Sequence, residues 1–94
     1  MVVNNVERLE PYYSTQKSFH GKAIVQSVPE ENAKILFSYN VPVVTVYTNP
    51  SQVIFEPEWR TSPTTIRHVV EFLKQNGYNV SGKDDVARLA AEQG

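Results

Sequence analysis

Four polar residues stand close together in the sequence and have the chemistry to bind an anion. They are Thr64, Thr65, Arg67 and His68. Hydroxyl groups, an arginine and the free amides of a helix N-terminus are the groups that bind phosphate in proteins. The alternative is structural: Thr65 and His68 hydrogen-bond to strand ends or to the turn at Tyr39 and Asn40 and so fix how a helix docks. Their boundary position on an amphipathic helix favours the structural alternative.

The remaining candidates are cations and one tryptophan. Arg67 lies on the polar face of the helix, where its structural alternative is a weak pair with Glu71, four residues further on. Trp59 is expected to cover the core, although a tryptophan in a surface loop is a favoured contact residue. Arg60, Arg67 and Lys74 with Trp59 define a nucleic-acid hypothesis, which Glu71 weakens. The candidate binding residues are Trp59, Arg60, Thr64, Arg67 and Lys74.

The composition argues against several other functions. Nine Lys and Arg against ten Asp and Glu give a net charge of −1, so there is no overall basic field for nucleic acid. The chain has no cysteine, and its two histidines, His20 and His68, lack metal-site spacing. No phosphate-binding loop or nucleophile elbow is present. The prediction is a non-enzyme without metal or cofactor.

The hydropathy pattern contains no membrane segment. No run approaches the 18 apolar residues that a spanning helix needs, and the N-terminus has no apolar signal region. We therefore expect a cytoplasmic protein with no membrane partner, located in the host cytoplasm if the protein is viral.

The stretch from Thr61 to Tyr78 must position these residues, and it predicts an amphipathic helix over about 63–76. Ser62 is a suitable N-cap, and Pro63 suits the first helical position. Gly77 is the expected left-handed residue after the end. The apolar stripe that should face a sheet consists of Ile66, Val69, Val70 and Leu73.

Before this helix, short runs of β-branched residues predict strands at about 22–28, 34–39, 43–47 and 52–56. A polar turn at 29–32, an interruption around Pro42 and a turn at 49–51 separate them. The fold class is therefore α+β, with a small antiparallel β-meander of three to four strands packed by one amphipathic α-helix. A short C-terminal helix, marked by Ser81 and Asp84, should follow.

These elements divide the chain into an N-terminal arm at 1–17, the α+β domain at 18–78, and the C-terminal helix and tail at 79–94. The arm is expected to be irregular or a short helix. The helix stripe should pack on the sheet face of Ile35, Phe37 and Tyr39. The opposite face, with Ile24, Leu36 and Ser38, should then remain uncovered and favour association.

Three motifs carry a resemblance to a known family. They are SFHGKA at 18–23, LFSYNVPVV at 36–44 and SPTTIRHVVEFL at 62–73. In this order they resemble a family of small proteins found mostly in bacteriophages and prophages, whose pattern is SF-x-GKA, L-x-SY-[NG]-T-x-VA and S-x-TT-x-RH-x-x-xFL. Val41 and Val44 depart from it, since the family usually has Thr and Ala there. The resemblance implies a viral context and no mechanism.

The leading functional hypothesis is a small phage-type binding module that acts by stoichiometric contact with a host or viral protein. An inhibitor of a host defence or a host enzyme is one concrete form. The first alternative is a nucleic-acid-binding accessory protein, and the remote one is an enzyme. The uncovered sheet face also makes a homodimer an expectation.

Overall fold

The computed structural model describes residues 5–14, 18–48 and 51–93. Its strands are β1 (Asn5–Arg8), β2 (Ala23–Val28), β3 (Ala33–Ser38), β4 (Val41–Thr48) and β5 (Ser51–Phe55), and its helices are α1 (Pro63–Gln75) and α2 (Lys83–Gln93). The strands form one sheet in the order β1-β2-β3-β4-β5, and every neighbouring pair is antiparallel. The predicted α+β meander, its helix and the C-terminal helix are confirmed.

The N-terminal arm differs from the prediction. Residues 5–8 form the fifth strand and pair with β2, with Val6 opposite Gln26 and Arg8 opposite Ile24. No sequence pattern indicates a strand here, because the four β1 residues are all exposed and do not alternate between apolar and polar. The expectation of a helix or an irregular arm is wrong for these residues. Residues 1–4 and 15–17 of the arm, and 49–50 of the predicted turn, lie outside the described residues.

Helix α1 begins and ends as its local sequence requires. The Ser62 hydroxyl accepts a hydrogen bond from the Thr65 amide at 3.2 Å, and Pro63 occupies the first turn. At the other end Gly77 has φ +89°, and the amides of Gly77 and Tyr78 donate to the carbonyls of Lys74 and Leu73. This pair of bonds is a Schellman motif, which satisfies carbonyls that the helix leaves free.

The core lies between α1, α2 and one face of the sheet. Across that face the buried row runs from Val25 through Leu36 to Val44. It packs in the same cluster as Val69, Phe72 and Leu73 of α1 and Val86 of α2. The two central stripe positions, Val69 and Leu73, are buried as predicted, whereas Ile66 and Val70 lie at its margin and are partly exposed.

The helix covers the sheet face opposite to the predicted one. Leu36 and Ser38 are buried beneath the helix layer, whereas Ile35 and Phe37 lie on the other face. The register explains the error, since Ile24 pairs with Phe37 and therefore cannot share a face with Leu36. The prediction took polar Ser38 for an outward position, but its hydroxyl has buried partners.

The uncovered face, called the open face below, carries three rows of residues paired across the strands. They are Val6–Gln26–Ile35–Thr45–Ile54, Arg8–Ile24–Phe37–Pro42 and Val28–Ala33–Tyr47–Gln52. None of their apolar side chains except Ala33 is fully buried, and none packs in the core cluster. Within the described ranges, this face has no second layer.

Two local features also depart from the predicted boundaries. Strand β4 includes Pro42. Leu36 pairs with Val44 and Phe37 pairs with Pro42, so Val43 is the extra residue of a β-bulge, and both Val43 and Val44 are buried.

Before α2, the Ser81 hydroxyl and amide donate hydrogen bonds to the Asp85 carboxylate at 2.7 and 2.9 Å, so Asp85 and not the predicted Asp84 pairs with Ser81. These bonds lower the pKa of Asp85.

The burial of Leu73 predicts a large effect on stability. Leu73→Ala should lower the free energy of unfolding by about 2–5 kcal/mol, because it removes buried contacts and leaves a cavity. Ile54→Ala, on the open face, is the matched control and should cost less than about 1.5 kcal/mol. Urea unfolding followed by circular dichroism measures both, and equal effects would contradict the assignment of the covered face.

Candidate functional site

The motif residues meet in a buried chain of hydrogen bonds that joins α1 to the end of β3. The Ser62 hydroxyl donates to Thr65 Oγ1 at 3.2 Å, Thr65 Oγ1 lies 3.1 Å from Ser38 Oγ, and Ser38 Oγ lies 2.9 Å from His68 Nδ1. Thr65, Ser38 and His68 are all buried. The bonding partner is therefore Ser38, next to the turn at Tyr39 and Asn40, and not the turn itself.

Aromatic rings close the site around His68. Phe19 contacts it edge-on with ring centroids 4.7 Å apart, and the Tyr39 ring lies 5.9 Å away. Tyr39 and Asn40 form the β3–β4 turn with φ of +52° and +66°, a left-handed conformation that is unfavourable for tyrosine. Tyr39 is 48 % exposed, so the prediction that it lies on the sheet face covered by the helix is wrong.

Burial decides the charge of His68. The side chain is 0 % exposed, and burial together with the positive charge of Arg67 lowers its pKa from 6.5 to about 4. The ring is therefore neutral near pH 7. If each hydroxyl donates to the next, Nδ1 accepts and the proton lies on Nε2, which has no hydrogen-bond partner among the described residues.

A hydroxyl beside an imidazole is also the arrangement of a nucleophile and its general base. Ser38 and His68 have this distance, but both are buried, with Ser38 3 % and His68 0 % exposed. Among the described residues, neither lines the four cavities beside Arg67, Arg88, Tyr47 and Lys34. The geometry suits a rigid connection between helix and sheet.

Glu71 holds the N-terminal segment against α1. Its carboxylate accepts the backbone amides of Tyr12, Tyr13 and Ser14 at 2.9–3.0 Å, and the Gln75 side chain donates to it at 2.6 Å. Glu71 is 2 % exposed, so its predicted place on the polar face is wrong. A buried carboxylate persists because these donors replace its hydration.

This arrangement changes the surroundings of the two helix cations. Since Glu71 is engaged by the N-terminal segment, the pair considered between Arg67 and Glu71 is not formed, and the one ion pair within the described ranges joins Arg88 to Asp85. Lys74 lies with Nζ 5.9 Å from the centre of the Tyr13 ring. Arg67 is exposed, and both cations line one shallow cavity.

The other predicted binding residues do not join this group. Trp59 is buried against Phe55, with ring centroids 5.7 Å apart, and Arg60 lies 5.8 Å from the centre of its ring. A buried indole is not available to stack on a base. Thr64 is half-buried on the first turn of α1, apart from the hydroxyl chain. The nucleic-acid hypothesis groups Trp59 and Arg60 with Arg67 and Lys74, but only Arg67 and Lys74 line the same cavity.

The sequence predicts one uncovered sheet face, but it assigns the wrong residues of β3 to that face. Ile54 and Val6 are exposed, and Ile24, Ile35 and Phe37 are half-buried without contact to the core cluster. Ile35, Leu36 and Phe37 are consecutive apolar residues, so both faces of β3 are apolar. This pattern does not show which of them the helix covers.

The described residues contain neither a candidate metal group nor a membrane-spanning helix. No group of three or more histidine and acidic side chains lies close enough to hold a metal ion. No helix there has the length and apolar character required to span a membrane.

Comparison with known proteins assigns a family without an activity. Residues 8–88 match the family of unknown function DUF8033. This range covers 81 of the 94 residues, so the chain belongs to this family. No match was found among curated proteins or among solved structures.

The low pKa of His68 makes stability depend on pH. Between about 6.5 and 4 the unfolded chain takes up a proton at His68 that the folded chain excludes, so the free energy of unfolding falls as the pH is lowered. The loss should reach roughly 3 kcal/mol at pH 4. Urea unfolding at several pH values measures it, with His68→Gln as the control that should show a flatter profile. An NMR titration of His68 near pH 6.5 would contradict the proposed burial.

The contact of Glu71 with three amides predicts a local effect. Glu71→Gln replaces an acceptor oxygen by an amide that faces backbone donors, and it should cost roughly 1.5–3 kcal/mol. Hydrogen exchange at Tyr12, Tyr13 and Ser14 should accelerate accordingly. Glu58→Gln, an exposed position, is the matched control. Unchanged protection of the three amides would show that other contacts hold the segment.

Proposed function

We propose that this DUF8033 member is a small binding module that acts by stoichiometric protein–protein contact through its open face. The observation that carries the proposal is the apolar, single-layered surface built from Ile24, Ile35, Phe37 and Ile54. Monomeric proteins rarely leave such contiguous apolar surface without a use. Phe37 and Ile24, paired directly across β2 and β3, form its centre.

The size of the open face favours a partner that is bound reversibly over a permanent second copy. Five strands spaced about 4.8 Å apart and about six residues long cover roughly 400–500 Å². Two such faces together bury about 1,000 Å², which is below the roughly 2,000 Å² typical of obligate homodimers. A transient contact with another protein fits this area better.

The charges at the rim define the chemistry of the partner. Arg8 and Lys22 lie at the end of the open face where β1 ends and β2 begins, and the paired rows of this face contain no carboxylate. The partner is therefore a protein with an apolar patch bordered by acidic side chains at one end. From the resemblance of the three motifs to a phage-associated family, we propose that the target is a host defence protein or enzyme in the cytoplasm of an infected bacterium.

The alternatives are less well supported by the geometry. Nucleic-acid binding loses its stacking residue, since Trp59 is buried, and the net charge is −1. An enzyme would need an accessible reactive group, whereas Ser38 and His68 are both buried. Neither alternative has a specific observation in its favour.

Phe37→Lys tests the open face. The variant should keep its fold, because Phe37 lies outside the core cluster. Ala91→Lys, on an exposed position of α2, makes the same charge change and is the matched control. Partners captured from a host lysate by each protein are compared, and the protein lost with Phe37→Lys alone is purified and titrated by calorimetry.

We expect a monomer by light scattering and a one-to-one complex that Phe37→Lys weakens at least thirtyfold, as for a contact worth about 2 kcal/mol. The control should bind like the wild type. A micromolar dimer that Phe37→Lys dissociates would identify a second copy as the occupant and overturn the proposal. A partner retained equally by both variants would place the contact elsewhere.

A further inference from the structure

The outer side of α1 carries a cavity that is separate from the open face. It has a volume of about 260 Å³ and lies between the N-terminal segment at Tyr13 and the α1–α2 connection at Ser81. The side chains of Ile66 and Val70 form its apolar part, and Arg67 and Lys74 are its cations. Neither Ile66 nor Val70 is fully buried, so apolar surface remains in the cavity.

The two cations lie on one side of the helix, since seven residues correspond to about two turns. Glu71 lies between them in the sequence, and it also borders the cavity. Its two carboxylate oxygens are engaged by the amides of the N-terminal segment and by Gln75, and the partial positive charges of these donors offset its charge. With Arg67 and Lys74 positive and Glu71 negative, the net formal charge of the residues that line the cavity is +1.

Each part of the cavity specifies one part of a ligand. The planar guanidinium of Arg67 suits two parallel hydrogen bonds to a carboxylate, and Lys74 adds a second positive charge. The apolar pair and the ring of Tyr13 suit a small apolar or aromatic body. The volume lies just below the 300–1,000 Å³ range of pockets for drug-sized ligands, so it fits a group of about one amino acid.

We propose that this cavity binds one carboxylate group carried on an apolar body of about the size of a phenylalanine residue. Arg67 and Lys74 hold the carboxylate, and Ile66 and Val70 contact the body. Such a ligand is either a free small acid or the C-terminal residue of another chain, and both have the same chemistry. The site is independent of contacts at the open face.

Three probes separate the requirements for charge and for apolar surface. N-acetyl-phenylalanine has both, N-acetyl-phenylalaninamide lacks the charge, and inorganic phosphate lacks the apolar body. Each is titrated into the ¹⁵N-labelled full chain while the amide signals of Ser14, Ser81 and Gly82 are followed, because these residues line the cavity. Saturable shifts are expected with N-acetyl-phenylalanine, and much weaker binding with the other two.

Charge variants assign the binding to the cavity. Arg67→Gln and Lys74→Gln should each weaken the binding of N-acetyl-phenylalanine about tenfold, the effect of one charge-assisted hydrogen bond. Lys34→Gln removes an exposed cation outside the cavity and is the matched control. A short peptide that ends in phenylalanine then identifies the source. Tighter binding than N-acetyl-phenylalanine indicates a chain terminus, and equal or weaker binding indicates a small acid.

Several results would overturn the proposal. Equal binding of the neutral amide would show that the carboxylate is not recognised, and equal binding of phosphate would remove the apolar requirement. Binding unchanged by both charge variants, or no saturable shift with any probe, would show that the cavity is not a site. Loss of partner binding in Phe37→Lys would leave all these results unaffected, so the two proposals fail separately.

Discussion

The buried hydrogen bond between Ser38 and His68 connects the two layers of this protein. It joins the end of β3 to the middle of α1, thirty residues apart in the sequence. A buried polar atom without a partner costs free energy, so the bond between Ser38 Oγ and His68 Nδ1 favours the helix position in which it forms. The apolar contacts of Val69 and Leu73 stabilise the interface, but they alone would permit small shifts along the sheet.

This connection explains why the three sequence motifs belong together. Phe19 comes from the first motif, Ser38 from the second and His68 from the third, and they meet within one buried cluster. The Tyr39 amide also donates to the carbonyl of Lys22 at 2.9 Å, which fixes the left-handed turn beside the cluster. The motif residues with buried side chains thus define how the elements pack, and the same motifs also contain exposed residues such as Arg67.

Helix α1 is enclosed on more than one side. Its sheet side packs on β3, its Glu71 side holds residues 12–14, and its remaining surface borders the α1–α2 connection. The opposite side of the sheet has no comparable cover in the described residues. This asymmetry leaves the open face and the cavity beside Arg67 as two distinct surfaces, one apolar and extended, the other small and cationic.

Local sequence determined the elements, and tertiary contacts determined their faces. Ser62, Pro63 and Gly77 fix the ends of α1 because capping depends on residues within a few positions. The four predicted strands follow from β-branched composition and intervening turns for the same reason. By contrast, the burial of Glu71 depends on amides 57–59 residues away, and the pairing of β1 depends on the edge of β2. Which sheet face the helix covers depends on the hydrogen bond between Ser38 and His68. Since both faces of β3 are apolar, hydrophobic pattern alone could not decide it, and only the register and the buried hydrogen bonds did.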